Sequence, residues 1–213
     1  MRLHRTLVPL AVIGALALTG CSSSGSADAE PAVDYDYDFI AMGEPGEITA
    51  AGSALSFGEV AWFEGPINEG EDPYELGVVV HDVIEAPEGF LEDAVSNPED
   101  FTQYTPYIII TQFHAAQDVV DAHGGMRNLS LQPLLADGTP GAYLTTMAVS
   151  KTDECGASVP EWEGGEDMFS CLIGLAEEGQ QITGALFDDT TQATVVLDPE
   201  NPYQASPVTW SAS

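Results

Sequence analysis

The sequence predicts an all-β domain built as a two-sheet sandwich, and three observations lead to this prediction. Short runs rich in Val, Ile, Thr and aromatic residues recur from Ile48 to the C-terminus, as is typical of strands. Clusters of Gly, Pro, Asn and acidic residues separate these runs at short intervals. No long segment repeats its apolar residues with the helical period of 3.6. Seven or more short strands with few helices indicate a sandwich.

The strongest strand candidate covers residues 104–115, YTPYIIITQFHA. Its apolar run from Tyr107 to Ile110 predicts a strand that is covered on both faces. An Asp-Gly turn signal lies at Asp137-Gly138. The other predicted strands are 75–84, 128–141, 143–149, 180–187, 193–197 and 206–210, and only 90–95 and 115–122 can hold a helical turn or two.

Residues 1–20 have the composition of a secretory signal peptide. Arg2, His4 and Arg5 form a short positive head, and an almost wholly apolar run follows from Leu7 to Leu18. A permanent membrane-spanning helix needs about 20 apolar residues, so this run is too short to be one. We expect the segment to be removed on export.

The four residues Leu18-Thr19-Gly20-Cys21 close the apolar run. They resemble the lipobox of bacterial lipoproteins, which reads Leu, then Ser, Thr or Ala, then Gly or Ala, then Cys. The resemblance implies cleavage between Gly20 and Cys21 and attachment of a diacylglycerol to the Cys21 sulfur. Two acyl chains hold a protein on a membrane without a spanning helix. The expected location is therefore the extracytoplasmic face of a bacterial cell membrane.

Residues 21–47 are predicted to be the lipidated cysteine and a flexible acidic tether, because they are poor in aliphatic residues and rich in Ser, Gly, Ala and acid. Asp34, Asp36 and Asp38 alternate as in calcium loops, but the glycine and glutamate that an EF-hand requires are not at their positions. We therefore predict a solvated linker here and a folded domain over 48–213.

The charge of the chain excludes one class of partner. All 35 acidic residues follow Cys21, and only Arg127 and Lys151 are basic there, so the mature chain has a formal charge of −33. Such a surface repels phosphate backbones, which excludes nucleic acid as a partner. It also repels anionic lipid, so the lipid anchor must supply membrane attachment. The negative charge either keeps the protein surface well solvated or attracts cations.

Cys155 and Cys171 are the two cysteines that remain after acylation, an even pair in an exported chain. A disulfide between them closes a loop of 17 residues and contributes roughly 3 kcal/mol in the chain-entropy model. The alternative is two free, buried thiols. The segment 155–171 is rich in Gly, Pro and acid and is predicted not to pack as a regular element, so we expect the disulfide.

Several features of the second half of the chain occur together. They are the hydrophobic strand YIIITQF, the Asp-Gly turn, a late strand over Gly179–Phe187 and a final strand that contains Trp210. With the lipobox and the polar tether, they make the stretch from about Tyr104 to Trp210 similar to an immunoglobulin-like domain of lipoproteins from Gram-positive bacteria, particularly actinobacteria. The resemblance implies an immunoglobulin-like two-sheet sandwich at the cell surface. It implies no catalytic residues, because that family has no assigned activity.

The sequence lacks the common catalytic and metal motifs. It contains no G-x-S-x-G, H-E-x-x-H or C-x-x-C, and its last histidine, His123, precedes both late cysteines, which excludes a blue-copper arrangement. His81 and His114 lie within predicted strands and are interpreted as packed or surface histidines. Carboxylates occur throughout the chain, so no glycosidase pair can be singled out. We therefore predict neither an enzyme nor a cofactor.

The three tryptophans differ in their surroundings along the chain. Trp62 and Trp210 are predicted to be core residues, whereas Trp162 lies in the acidic segment 155–171 and is the candidate exposed contact residue. The same segment contains four candidate oxygen ligands for a cation, which are Glu161, Glu163, Glu166 and Asp167.

These observations favour a membrane-anchored, non-catalytic binding or interaction module whose loops contact an extracellular ligand or protein. Two alternatives stay open. One is a calcium-dependent binding or sensing domain that uses the acidic loop, and the other is a solute-binding lipoprotein that serves a transporter. The latter fits the length poorly, because two lobes and a hinge need a longer chain with alternating helices.

Overall fold

Two β-sheets make up most of the computed structural model, which describes residues 37–38, 40–64, 74–123, 131–144, 166–189 and 200–213. Within these residues the helices are short and few. The prediction of an all-β fold is therefore confirmed. The residues from Tyr35 to Ser213 form one compact unit.

The described strands are, in chain order, β1 (Ala54–Ser56), β2 (Ala61–Glu64), β3 (Glu75–Glu85), β4 (Tyr104–His114), β5 (Gln132–Leu135), β6 (Ala142–Leu144), β7 (Asp167–Glu177), β8 (Ile182–Phe187) and β9 (Val208–Ser211). The five-stranded sheet has the order β2-β3-β4-β7-β6, and its neighbours are antiparallel. The four-stranded sheet has the order β1-β9-β8-β5. Its β1–β9 pair is parallel, and its other pairs are antiparallel.

The described helices are α1 (Phe90–Ala94), a 3-10 helix (Pro98–Phe101), α2 (Gln117–His123) and α3 (Pro202–Ala205). α1 and α2 coincide with the two segments that the sequence allowed to be helical, 90–95 and 115–122. Pro202 begins α3, where its missing N–H costs no intrahelical hydrogen bond. The Asn201 side chain caps this helix by accepting a hydrogen bond from the Tyr203 amide at 2.9 Å.

β4 is the middle strand of the five-stranded sheet and is buried on both faces, as the sequence predicts. Successive side chains of a strand point to opposite faces. Ile109 and Phe113 accordingly join the core between the two sheets, whereas Ile108 and Ile110 join a second apolar cluster on the outer face. Each of these four side chains is at most 2% exposed.

The core between the sheets draws on strands from both of them and is dominated by aliphatic and aromatic side chains. Burying one such side chain stabilises a fold by about 1.5–3 kcal/mol. Trp210 and Phe63 are its largest fully buried members, so the prediction that Trp210 is a core residue is confirmed. Other members are Leu76, Val78, Val80, Ile182, Ala185, Phe187 and Val208.

The outer cluster lies on the other side of the five-stranded sheet and explains why β4 needs no solvent-exposed face. Phe90, Ala94 and Val95 come from α1 and the residue that follows it, in the connection between β3 and β4. They pack on apolar side chains of β4, β6 and β7, which include Leu144, Ile173 and Leu175.

Strand β7 corrects the prediction that segment 155–171 does not pack as a regular element. Asp167 to Cys171 belong to β7, which pairs with β4 along all eleven of its residues. Phe169 and Ile173 point to one face of the strand and pack in the outer cluster. Met168 and Leu172 point to the other face and pack against the inner core. The ladder with β4 therefore outweighs the weak local preference of a segment that contains Gly, Ser and acid.

The other strand predictions agree with the structure to different extents. Segments 75–84, 104–115, 180–187 and 206–210 correspond to β3, β4, β8 and β9. β5 covers only residues 132–135 of the predicted segment 128–141, and β6 overlaps the start of 143–149. Segment 193–197 lies outside the described residues.

The folded part of the chain begins before the predicted boundary at Ile48. Residues 37–38 and 40–49, which we call the strap, contact the five-stranded sheet. Ile40, for example, is hydrogen-bonded through its backbone to Gln112 of β4. The predicted tether, 21–47, thus includes residues of the folded unit, because side chains far along the chain supply the contacts that the local sequence lacks.

Candidate functional site

Four long connections leave from one end of the strands, which we call the loop end. His114, the last residue of β4, faces Asp167, the first residue of β7. Phe187 of β8 and Val208 of β9 form the corresponding pair in the other sheet. The connections that start and finish at this end are 65–74, 115–131, 145–166 and 188–207.

The opposite end carries the short connections 57–60, 136–141 and 178–181 and the longer helical connection 86–103, and we call it the turn end. Residues 178–181 join β7 to β8 there, with Gly179 at φ +83° and the Gln180 amide bonded to the Glu177 carbonyl at 2.9 Å. The predicted Asp-Gly turn also lies at this end, and Gly138 has φ +86°, which favours glycine. Hydrogen bonds from the Thr139 hydroxyl and amide lower the pKa of Asp137 below its usual value.

Two surface clefts lie at the turn end, with volumes of about 320 and 460 Å³. Polar and apolar surface contribute about equally to their linings. The lining residues are Leu135, Ala136, Asp137, Gly179, Gln180 and Gln181 in the smaller cleft, and Thr102, Gln103, Tyr104, Thr105, Glu177 and Glu178 in the larger. Neither His81 nor His114 lines them, so the clefts are separate from the network described below.

Hydrogen bonds fix the described ends of the long connections. The Ala115 amide donates to the Glu166 carbonyl at 2.9 Å and joins the connection after β4 to the one before β7. The Gln132 side chain, just after connection 115–131, donates to Asp188 at the start of connection 188–207 at 2.8 Å. The ends of the loops are therefore held on a rigid base, which is the arrangement by which scaffolds position binding residues.

An aromatic cluster lies beneath the loop end and contributes to this base. The Phe63 ring centroid is 4.3 Å from that of Phe187, 5.8 Å from that of Tyr203 and 6.2 Å from that of Trp210. The Tyr203 hydroxyl donates to the Thr49 carbonyl at 2.8 Å, so this cluster also holds the end of the strap. Burial, with the charges of Asp189 and Glu64, raises the pKa of Tyr203.

A buried polar network lies on the outer face of the five-stranded sheet, beneath the strap. Its centre is Gln112, which is 0% exposed. The Gln112 Oε1 atom accepts from the Ile40 amide at 2.9 Å and lies 3.0 Å from His81 Nε2. The Gln112 Nε2 group donates to the Ile40 carbonyl at 2.9 Å and to Asp167 Oδ1 at 2.8 Å. All four hydrogen-bonding positions of this buried amide are satisfied, as burial requires.

His81 enters the network because β3 contains a bulge. The register with β4 shifts between Val80 and Asp82, so His81 is the extra residue at the bulge. Its ring lies between those of Phe169, at 5.0 Å, and Tyr37, at 5.7 Å. Desolvation by burial lowers the pKa of His81, against the smaller raising effects of Gln112 and Asp82.

His114 and Asp167 complete the network at the loop end. The His114 Nδ1 atom lies 3.1 Å from Asp167 Oδ1, which also accepts from Gln112. The Trp62 ring stands edge-on to the His114 ring at a centroid distance of 6.0 Å. The interpretation of His81 and His114 as packed histidines is confirmed, since both rings have hydrogen-bond partners and aromatic neighbours. Trp62, at 7% exposed, is buried as predicted.

The structure describes only three of the predicted site residues. Glu166 is exposed at the loop end, Asp167 begins β7, and Cys171 lies in β7 opposite Ile110. Asp167 is not simply a loop carboxylate, because its Oδ1 atom already accepts two hydrogen bonds within the network. Outside the described residues lie Gly20, Cys21, Cys155, Glu161, Trp162 and Glu163, so the lipidation, the disulfide and the Trp162 contact stay predictions.

One residue in the sequence indicated this network, although the predictions did not use it. Gln112 is a polar residue inside the otherwise apolar strand core YIIITQF, a position that requires a buried partner. Its partners are 72 and 55 residues away along the chain, at Ile40 and Asp167, and local sequence does not identify them.

Neither a metal cluster nor a membrane-spanning helix occurs in the described part of the chain. No three His, Cys, Asp or Glu side chains there are placed to hold a metal ion. No helix there is long and apolar enough to cross a bilayer.

Comparisons with known proteins give no family for this chain. No family model matches it, and neither a curated protein nor a solved structure does.

Proposed function

We propose that this chain is a bacterial lipoprotein, anchored through Cys21, whose immunoglobulin-like domain binds an extracellular ligand or protein through its loop end. The observation that carries the binding role is that four of the five connections of ten or more residues between the described strands, 65–74, 115–131, 145–166 and 188–207, lie at one end of a rigid sandwich, whereas the fifth, 86–103, contains the short helices at the other end. Recognition residues typically lie on loops that a rigid scaffold positions.

The strand order supports the immunoglobulin-like part of the proposal. If the strands from β3 to β9 are lettered A to G, one sheet contains A-B-E-D and the other contains C-F-G, all antiparallel. This is the order of the constant-type immunoglobulin sandwich. In this lettering the B–C, D–E and F–G connections all lie at the loop end. β1 and β2 are additions at the sheet edges.

The lipid anchor is supported by the sequence Leu18-Thr19-Gly20-Cys21 and by the charge of the chain. A domain with 35 acidic and two basic residues after the cysteine does not adhere to an anionic membrane by itself. Two acyl chains supply the attachment through about 0.8 kcal/mol per buried methylene group.

The anchor is tested by labelling with radioactive palmitate in a Gram-positive host. The parent chain is expected to incorporate label and to run at the size of the cleaved form. Cys21→Ser is expected to lose the label and to remain an uncleaved precursor, whereas Ser22→Ala, the matched neighbouring change, keeps both properties. A Cys21→Ser variant that is still processed and membrane-bound contradicts the proposal.

Calcium binding by the acidic segment is the alternative, and a titration distinguishes it. Its ligands would be Glu161, Glu163, Glu166 and Asp167, and tryptophan fluorescence of the full chain reports on Trp162 among them. A saturable change below millimolar calcium that is lost in Trp162→Phe supports the alternative. The loop-end proposal predicts no such change, because Asp167 is held by Gln112.

A further inference from the structure

The attachment of the strap has a feature that the proposed binding role does not use. Ile40 takes no part in a β-ladder, and both of its backbone groups bond to a single side chain, that of Gln112. The same Gln112 oxygen lies 3.0 Å from His81 Nε2. An amide oxygen only accepts hydrogen bonds, so His81 must carry its proton on Nε2. A titratable ring and the strap thus share one hydrogen-bond acceptor.

Part of the burial that disfavours the charged form of His81 comes from the strap. The Tyr37 ring of the strap covers one side of the imidazole, and the Phe169 ring of β7 covers another. Asp82 is the adjacent carboxylate, and its Oδ2 atom accepts a hydrogen bond from the Tyr37 hydroxyl at 3.1 Å. Protonation of His81 therefore places a positive charge against the faces of two aromatic rings. The neighbouring Asp82 carboxylate already accepts a hydrogen bond from Tyr37 of the strap.

We propose that the strap is an acid-sensitive latch, in which protonation of His81 releases residues 37–38 and 40–46 from the outer face of the five-stranded sheet while the sandwich stays folded. Release removes the Tyr37 ring from His81 and admits water to the imidazole. The released state thus binds the proton more tightly than the closed state, and linkage requires that acid favours release.

The elements packed around His81 contribute titratable groups close to its imidazole ring. The charge of Asp82 favours the protonated ring. The titratable groups on these elements include Tyr37 and Asp38 of the strap, Asp82 of β3, His114 of β4 and Asp167 of β7. Burial is nevertheless the largest cause of the shift, and it lowers the pKa of His81.

Release of the strap leaves the sandwich folded because the strap supplies no residue to the core between the sheets. The ladders between β3, β4 and β7 involve no strap residue. Thr49 marks the point at which release stops, since its amide donates to the Trp62 carbonyl at 2.8 Å and its hydroxyl accepts from the Trp62 amide at 2.9 Å. These bonds lie outside the network that His81 joins.

The latch is tested by solution NMR of the ¹⁵N-labelled full chain between pH 8 and pH 5. The Ile40 amide and the Gln112 side-chain amide are expected to change together as His81 titrates, and the released population rises by up to tenfold per pH unit below pH 6.5. The Ile109 amide, in the inner core, is expected to stay unchanged. This test does not depend on the anchor or on any ligand.

Two variants separate the latch from general acid sensitivity. His81→Gln keeps an amide donor beside Gln112 but cannot be protonated, so its Ile40 amide is expected to stay unchanged down to pH 5. His114→Gln, the matched change in the same network, is expected to keep the parent's response. The proposal is overturned if His81→Gln responds like the parent, or if His81 titrates in the parent without a change at Ile40.

Discussion

Gln112 bonds to both backbone groups of Ile40, although 72 residues separate them in the chain. The buried amide thereby acts like the backbone of a neighbouring strand and holds an irregular segment on a sheet face. It also bonds to Asp167, so the first residue of β7 and the strap depend on one side chain. This relationship makes the strap a part of the domain.

Replacing Gln112 is expected to be costly. Gln112→Leu fills a similar volume but leaves Ile40, Asp167 and His81 without a shared buried partner, and unsatisfied buried polar groups cost about 1–3 kcal/mol each. We expect the free energy of unfolding in urea to fall by roughly 2–3 kcal/mol. Gln103→Leu, at an exposed position, is expected to change it by less than about 0.5 kcal/mol. Equal effects of the two changes contradict this role of Gln112.

Gly184 of β8 is expected to tolerate no side chain. A Cβ atom at this position would overlap the Trp210 carbonyl oxygen on the adjacent β9, so the strands would have to separate. Gly184→Ala is expected to lower the free energy of unfolding by about 3 kcal/mol, the upper range for overpacking. Thr183→Ala, at the neighbouring exposed position, serves as the control in thermal unfolding followed by circular dichroism. A fall in Tm no larger than that of Thr183→Ala contradicts the packing of β8 on β9.

Tyr203 is expected to make stability sensitive to alkaline pH. Burial raises its pKa in the folded state, so the unfolded state loses the phenolic proton first. The stabilising contribution is complete below pH 10 and is lost as pH rises through the folded pKa. Unfolding in urea at pH 8 and pH 10.5 measures this loss, which is expected to be smaller in Tyr203→Phe. Because Tyr107 also has a raised pKa, some loss persists in that variant. The same loss in both proteins contradicts the contribution of Tyr203.

Strong local patterns predicted much of the fold. The run from Tyr107 to Ile110 identified the central strand and its burial on both faces, because β-branched residues fit a pleated surface whatever surrounds them. The turn at Asp137-Gly138 followed from the positive φ that glycine allows. The burial of Trp210 was predicted because large aromatic residues in strands tend to fill a core.

Elements that depend on distant partners were not predicted. β7 starts within an acidic, glycine-containing segment and becomes a strand because β4 pairs with it along its whole length. The strap has the composition of a linker and folds because Gln112 and Asp82 supply hydrogen bonds from far along the chain. The network of Gln112, His81 and Asp167 depends in the same way on register, including the bulge at His81, which composition does not reveal.

The central claim, a lipid-anchored domain that presents its loop end outside the cell, is tested by labelling Glu166→Cys on intact cells with a membrane-impermeant maleimide. Glu166 is exposed and lies at the loop end, so a cysteine there is accessible. The parent chain, which lacks this cysteine, gives the background. The account predicts labelling of Glu166→Cys on intact cells, with the labelled protein in the membrane fraction, and loss of membrane retention when Cys21→Ser is added. Labelling that appears only after the cells are lysed contradicts it.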